Sequence, residues 1–336
     1  METVFFIGAK SGGHINPLIS YNKKMRNENF LKKYRSIFLT STSNLDKKII
    51  EFEKNDDENF IDEYFQMKYS KIGFFPKDIF YFLNDFFSSI YYIVKYKPVA
   101  IYTTGGIVSL IITFIAFLFK IPTYIFHLDS VPGKAGKIIS FWAKENWVTF
   151  EVLKKEFKNS YKKDYPIKFS KDSLISKFEA CKKLKIPFEK KIIFVTGGSQ
   201  GSEEINDLII SFFKNNSSEE NKKIYCIHQV GKGFKDEIEK FYRENFIDSI
   251  VFEYEKDLSN FYCASDLIVG RAGAGTLFEI NFFDKKSLII PLRNVANNHQ
   301  VENAKNFKNE NKKTIILFQK NEEDFFKKMN SLLNQI

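Results

Sequence analysis

A chain of 336 residues, 44% hydrophobic and 27% charged, is long enough for two cores and too apolar to be disordered. Its 51 Lys and Arg against 41 Asp and Glu leave a formal charge of +10, which favours an anionic partner such as a phospholipid surface or a phosphorylated substrate. Nucleic acid is set aside for want of zinc-finger, RNP-like or basic-aromatic patterns, and three scattered cysteines, Cys181, Cys226 and Cys263, make neither a disulfide framework nor a metal knuckle.

Residues 3–8 read as a buried strand that runs into the glycine loop Gly8-Ala-Lys-Ser-Gly12-Gly13-His14, with Pro17 early in the next helix. The loop matches neither the GxGxxG fingerprint nor a P-loop. A histidine just outside a strand end can take a proton near neutral pH, so His14 is a candidate general base; a plain tight turn is the alternative. Residues 35–41 form a second strand, and the acidic, Asn-rich stretch 51–59 a solvated insertion. A helix with few charges covers 78–96, and a strand over 98–106 ends in the paired glycines Gly105 and Gly106.

The apolar run 107–119 falls short of the ~20 residues that cross a bilayer, so it is either a core helix or one lying in a membrane surface. No basic leader precedes a long apolar run at the N-terminus, so the expectation is a cytoplasmic protein with peripheral membrane contact. The aromatics of helices 74–96 and 107–119, with Lys71, Lys77, Lys95, Lys97 and Lys120, suit an anionic headgroup region; core packing is the alternative.

A strand follows at 121–129, and the alternation of strand and helix predicts a parallel sheet covered on both faces. The Lys-rich stretch 159–171 reads as a linker. Strands at 190–198, 223–231, 249–254, 265–273 and 286–292 then restart the pattern, and an amphipathic helix closes it. The expected fold is therefore α/β, with two Rossmann-like domains of parallel sheet facing across a cleft and ligands at the carboxyl ends of the strands. The domains are placed at 1–158 and 159–322, with a closing segment at 323–336 that returns toward the first domain.

Chemistry concentrates in the second half. Gly197-Gly198-Ser199-Gln200-Gly201 follows an apolar strand and precedes a helix, so its amides and the Ser199 hydroxyl can cradle a phosphate; Glu203 and Glu204 suit the helix dipole with no ligand at all. Between Asp266 and Glu279, a strand, a glycine turn and a helix opening near Gly275 or Thr276 can meet a diphosphate. Arg271 supplies donors there, and Glu279, a turn into the helix, can accept from two ribose hydroxyls; a plain helix-start acid and a surface charge are the alternative. Asn297, Asn298, His299, Gln300 and Asn303 suit sugar hydroxyls, or simply cap a helix. All four histidines, His14, His127, His228 and His299, stand at or just beyond strand ends, and no HExxH, facial triad or DxD calls for a protein-held metal.

GAKSGGHINP, TTGGIVS, SVPGKAGKI, VTGGSQGSEEIN, HQVGKG, FYCASDLIVGRAGAGTLFEI and IIPLRNVANNHQVENA occur in that order, and with them the chain resembles the MurG-type glycosyltransferases of peptidoglycan synthesis. The resemblance implies the GT-B arrangement and inverting transfer of N-acetylglucosamine from UDP to undecaprenyl-pyrophosphoryl-muramyl-pentapeptide, giving lipid II, at the cytoplasmic side of the cell membrane. It places Gly198, Ser199, Gln200, Arg271, Ala274, Thr276 and Glu279 on the UDP donor, with His299 and Gln300 on the sugar. His14 becomes the catalytic base, the loops at Gly12, Gly13, Gly105 and Gly106 face the lipid diphosphate, and Asn16, His127, Asp129 and Lys168 stand on the acceptor side. The acceptor half departs from the family pattern: GGYVS becomes GGIVS at Ile107, HEQN becomes His127-Leu128-Asp129-Ser130, and GNPVR ends in Lys168 in place of arginine. With no metal motif and with helix-end amides for the leaving diphosphate, no cofactor is expected to be required, and a free divalent cation is at most a stimulant. A related enzyme acting on another lipid, and a nonenzymatic UDP-sugar binder, are the alternatives.

Overall fold

The computed structural model describes residues 1–9, 12–27, 34–54, 60–68, 75–198, 201–293, 298–318 and 321–336. It separates into two compact units, Met1–Lys168 and Phe169–Ile336. The first holds a seven-stranded sheet, built from β1 (Glu2–Ile7), β2 (Tyr34–Ser41), β3 (Glu63–Met67), β4 (Pro98–Thr103), β5 (Thr123–His127), β6 (Glu145–Val148) and β7 (Ser160–Lys162) in the order β3-β2-β1-β4-β5-β6-β7. The second holds a six-stranded sheet, from β8 (Lys191–Thr196), β9 (Ile224–Gln229), β10 (Asp248–Phe252), β11 (Leu267–Gly270), β12 (Lys286–Ile289) and β13 (Thr314–Ile316), ordered β10-β9-β8-β11-β12-β13. Every described pairing is parallel, as βαβ crossovers require.

The boundary falls at 168/169, ten residues beyond the expected 158/159. Residues of the expected linker pair as β7 with β6 and belong to the first sheet. A three-residue edge strand, Ser160-Tyr161-Lys162, is too short to show an apolar alternation. The strands β3, β6 and β13 were equally silent, being short and partly polar. The helix Glu322–Leu333 spends its apolar face inside the second unit: Phe325, Met329, Leu332 and Leu333 join the core formed by Ile193, Val195, Leu208 and Phe212.

In the first unit one sheet face packs Phe5, Ile7, Ile37 and Leu39 against Val108, Ile112 and Ile115 of the helix Ile107–Leu118. That helix is a core helix on this side. The other face is an aromatic layer in which Phe6 stacks on both Phe38 and Tyr102, and Trp147 meets Tyr102, Tyr124 and Phe126. Among the described residues no helix is long and apolar enough to cross a membrane.

Candidate active site

Each sheet reverses its strand order once. In the first, β1 lies between β2 and β4; in the second, β8 lies between β9 and β11. Crossovers leave opposite faces on either side of such a point and open a crevice at the strand carboxyl ends, where ligands bind. The glycine loops occupy these two places.

In the second unit the loop after β8 is a tight chain reversal. A Cβ on Gly197 would lie 2.4 Å from the Gly201 carbonyl carbon, and one on Gly201 would lie 2.4 Å from Gly231 Cα. Only hydrogen fits at either position, so this backbone can pass against the HQVGKG turn after β9. The Thr196 hydroxyl accepts from the Gly198 amide at 3.1 Å and donates to Gln229 at 2.7 Å, tying the loop to β9. Ser199 and Gln200 lie outside the described residues.

The helix that follows, Glu203–Asn215, is capped by Ser202, whose Oγ accepts from the Ile205 amide. Across the crevice the helix Ala274–Phe282 opens on Gly273. It carries no side-chain cap and no acidic residue in its first turn. The positive end of its dipole and the amides around Ala274 and Thr276 therefore face no competing protein charge in that turn, which suits a diphosphate. Helix formation begins at Ala274, one residue before the expected opening, because Gly273 is already in the extended N-cap conformation.

Arg271 was expected to meet the anion directly. The structure engages its donors within the protein: Nε and Nη2 bond the Ser202 hydroxyl at 3.1 and 2.7 Å, Nη2 bonds Glu204 at 2.6 Å, and Nη1 bonds the Ile290 carbonyl at 3.1 Å. The buried guanidinium thus fastens together the segments that follow β8, β11 and β12. Glu204, read earlier as a helix-dipole acid, is its counter-ion.

Glu279 sits in the helix Ala274–Phe282, half-buried, and its Oε2 accepts from the Tyr262 hydroxyl at 2.9 Å. The polar cluster after β12 is partly structural. Asn297 lies outside the described residues. Asn303 is fully buried and donates to the Ala272 carbonyl at 3.2 Å, and Gln300 accepts from the Leu292 amide at 3.0 Å. His299 opens the helix His299–Glu310 behind Asn298, half-buried.

In the first unit, helix Gly12–Asn27 begins at the glycine loop and carries Gly13, His14 and Asn16 in its first turns. A Cβ on Gly8 would lie 2.7 Å from the His14 carbonyl, so β1 and the helix meet backbone to backbone there. The same carbonyl accepts from Thr104 at 2.9 Å, which joins the loops after β1 and β4. Gly105 and Gly106 adopt φ of 86° and 92°, a region closed to side chains by sterics, and Gly106 caps helix Ile107–Leu118. Thr103 Oγ1 accepts from the Gly105 amide at 3.0 Å, and Ser109 donates to the Gly105 carbonyl at 2.8 Å. Neither of these two helices has an acidic residue in its first turn, so this crevice also favours an anion.

The histidines at strand ends divide. His127 is buried, stacked on Phe157 with centroids 4.1 Å apart, and its Nε2 lies 3.1 Å from both Asn146 and Ser140. Burial pulls its imidazole down to about 4, against the opposing Asn146 bond. His228 is fully buried. Asn206 donates to the Val230 carbonyl, so its Oδ1 faces His228 Nε2 as acceptor, and His228 Nδ1 takes the Tyr242 hydroxyl at 2.7 Å. Burial lowers this imidazole to about 3. Both rings are held neutral by burial and hydrogen-bonded within the fold. Asp129 is half-buried in the loop after β5, and Lys168 is exposed at the end of the unit.

Tyr262 and the Asn206–His228–Tyr242 relay escaped the sequence reading. The residues in each set lie at least fourteen positions apart, and no local spacing links them.

Residues 4–148 match the glycosyltransferase family 28 N-terminal domain, and residues 192–336 match the family 28 C-terminal domain. A UDP-N-acetylglucosamine–N-acetylmuramyl-(pentapeptide) pyrophosphoryl-undecaprenol N-acetylglucosamine transferase of Caldicellulosiruptor saccharolyticus is 30% identical over 320 residues, covering 90% of this chain and 81% of that one. The chain belongs to glycosyltransferase family 28. A transferase of the same description from Thermoanaerobacter sp. is also 30% identical, over 98% of this chain and 90% of its own. The crystal structure of Acinetobacter baumannii MurG superposes with a TM-score of 0.75 at 20% identity, covering 100% of this chain and 92% of that one, and shows the same fold. As a family 28 member the chain is a glycosyltransferase, and its two anion-favouring crevices are where family 28 chemistry is to be sought.

Proposed function

We propose that this glycosyltransferase moves N-acetylglucosamine from UDP-N-acetylglucosamine to undecaprenyl-pyrophosphoryl-N-acetylmuramyl-pentapeptide, the conversion of lipid I to lipid II. The observation that carries the reading is the pair of crevices, one per unit, each flanked by a helix N-terminus without an acidic first turn. Donor and acceptor in this reaction each bear a diphosphate. Diacylglycerol or a ceramide would leave one crevice without an anion to bind. The relatives named for this activity, aligned over most of the chain, support the same choice.

In this mechanism the amides at Ala274 and Thr276 stabilise charge on the departing UDP, Glu279 accepts from the ribose hydroxyls, and His299 and Gln300 address the sugar. Gly198, Ser199 and Gln200 complete the donor loop. Gly12, Gly13, Asn16, Gly105 and Gly106 hold the acceptor diphosphate, with Asp129 and Lys168 beside the muramyl-peptide. His14 removes the proton of the attacking hydroxyl, which approaches the anomeric carbon opposite UDP, so configuration inverts. These groups call for no resident cofactor, and a free divalent ion would act only as an aid to the leaving group. The enzyme works at the cytoplasmic face of the membrane, reached through the exposed aromatic surface of the first unit.

The test is transfer of label from UDP-N-acetylglucosamine to lipid I, diacylglycerol or ceramide. Label should appear on lipid I, and His14→Ala should lower kcat by about a hundredfold or more, the usual worth of a general base. Label on diacylglycerol or ceramide alone would assign the chain to glycolipid synthesis. UDP binding without any transfer would mark a sugar-nucleotide binder.

A further inference from the structure

We infer that Tyr262 is a positioning residue that sets Glu279 for the donor's ribose and so decides ribose against deoxyribose. The inference rests on the reading that Glu279 meets the ribose. Tyr262 belongs to the helix Ser259–Ala264 and is 1% exposed. Its ring is gripped on several sides: it stacks on Phe283 at 4.9 Å with an interplanar angle of 2°, and it meets Phe194 edge-on at 5.2 Å and Phe169 edge-on at 6.1 Å. Phe283 ends the same helix that carries Glu279. One tyrosine therefore touches that helix twice, through its ring at the end and through its hydroxyl at the carboxylate, 2.9 Å away.

The direction of this bond matters. Burial, reinforced by the Glu279 charge, raises the Tyr262 phenol well above its usual range, so it stays protonated and donates. A carboxylate has about four acceptor sites, so one bond from Tyr262 is compatible with two from a ribose diol. Where a carboxylate is free to sample several rotamers, a ligand that needs one of them bears the ordering cost, and each bond that fixes the side chain lowers it. A hydrogen bond from the fixed Tyr262 hydroxyl lowers that cost before the donor arrives.

Tyr262→Phe keeps the ring packing and deletes only the hydroxyl. It should raise KM for UDP-N-acetylglucosamine about tenfold, the order of one hydrogen bond to a charged group, with kcat nearly unchanged. It should also shrink the preference for UDP-N-acetylglucosamine over its 2′-deoxyribose analogue, and add nothing when combined with Glu279→Gln. A merely structural tyrosine would lower the melting temperature and leave the ribose preference alone, and that result overturns the inference. If Glu279→Gln loses the preference while Tyr262→Phe keeps it, the ribose reading stands and the positioning role falls. If neither variant alters it, the ribose reading falls and this inference with it. Should Tyr262→Phe fail to fold, replacing Tyr262 by 4-fluorophenylalanine decides, since it fills the place of the hydroxyl but donates no hydrogen bond to Glu279: a reduced ribose preference supports the inference and a retained one overturns it.

Discussion

Arg271 carries its positive charge into a place where 7% of the residue is exposed, and an isolated charge there would be costly. Glu204 offsets it, and the planar fork reaches Ser202 and the Ile290 carbonyl at the same time, which an ammonium cannot do. Arg271→Lys should therefore destabilise the second unit by about 2 kcal/mol, from lost bonds to a charged donor group, and raise the donor KM as the loops loosen. Glu204→Gln should cost stability too, by leaving the guanidinium without its counter-charge. Urea unfolding of both variants beside the parent chain checks this; unchanged midpoints would show that the clamp is dispensable. An arginine in a glycine turn was plain to see in the sequence. Its partner was not, because Glu204 lies 67 residues away and looks, locally, like any acid in a first helical turn.

At the scale of elements, the relay from Tyr242 through His228 and Asn206 to the Val230 carbonyl joins the helices Lys235–Glu244 and Glu203–Asn215 to β9, and so fixes the turn against which Gly201 packs. It requires a neutral imidazole. The unfolded chain takes up a proton on this histidine below its ordinary 6.5, while the folded one resists until about 3. Between those values the unfolded state binds more protons, so stability falls as pH falls, by about 1.4 kcal/mol per unit for this one group. Above 6.5 the contribution is fully present. Denaturant unfolding of the second unit between pH 4 and 7 should show this slope, and His228→Gln should flatten it while lowering stability at pH 7. An unchanged slope would exclude His228 as its source. The strands themselves were legible from apolar runs between glycine turns. The exceptions, β3, β6, β7 and β13, are short pieces whose neighbours in the sheet, not their own composition, make them strands.

At the scale of the whole molecule the most unusual surface is on the first unit. Helix Pro76–Tyr96 turns Asp85, Ser89 and Ile93 inward, where Asp85 accepts from the Lys68 amide, and leaves Ile79, Phe80, Leu83, Phe87 and Val94 exposed. Phe80 is 62% exposed and Phe87 64%; at the end of the helix Ile107–Leu118, Phe117, Leu118 and the C-cap Phe119 are exposed, and Phe141, in the turn after the helix Lys134–Ile139, reaches 88%. Lys77, Lys95, Lys97 and Lys120 accompany them, whereas Lys71 and Phe74 lie outside the described residues. Exposed apolar surface of this extent, set among cations, suits an anionic bilayer. The protein should cosediment with phosphatidylglycerol vesicles and release as salt rises. Replacing Phe80, Phe87 and Phe141 together by serine should weaken binding about tenfold or more, given what burial of each ring contributes. Equal cosedimentation of parent and triple variant would locate the membrane surface elsewhere.

The sequence by itself determined the class of fold, the repeat of one architecture in two halves, the family and the loops in which to look, because strand periodicity, glycine turns and motif order are all written along the chain. Tertiary structure alone decided which of the polar residues in those loops hold the protein together. Arg271 and Ser202 meet across 69 positions, Asn303 reaches a carbonyl 31 positions away, and burial keeps His127 and His228 neutral well below their ordinary 6.5. Burial and partnership belong to the packed chain, and a residue's neighbours in sequence do not specify them.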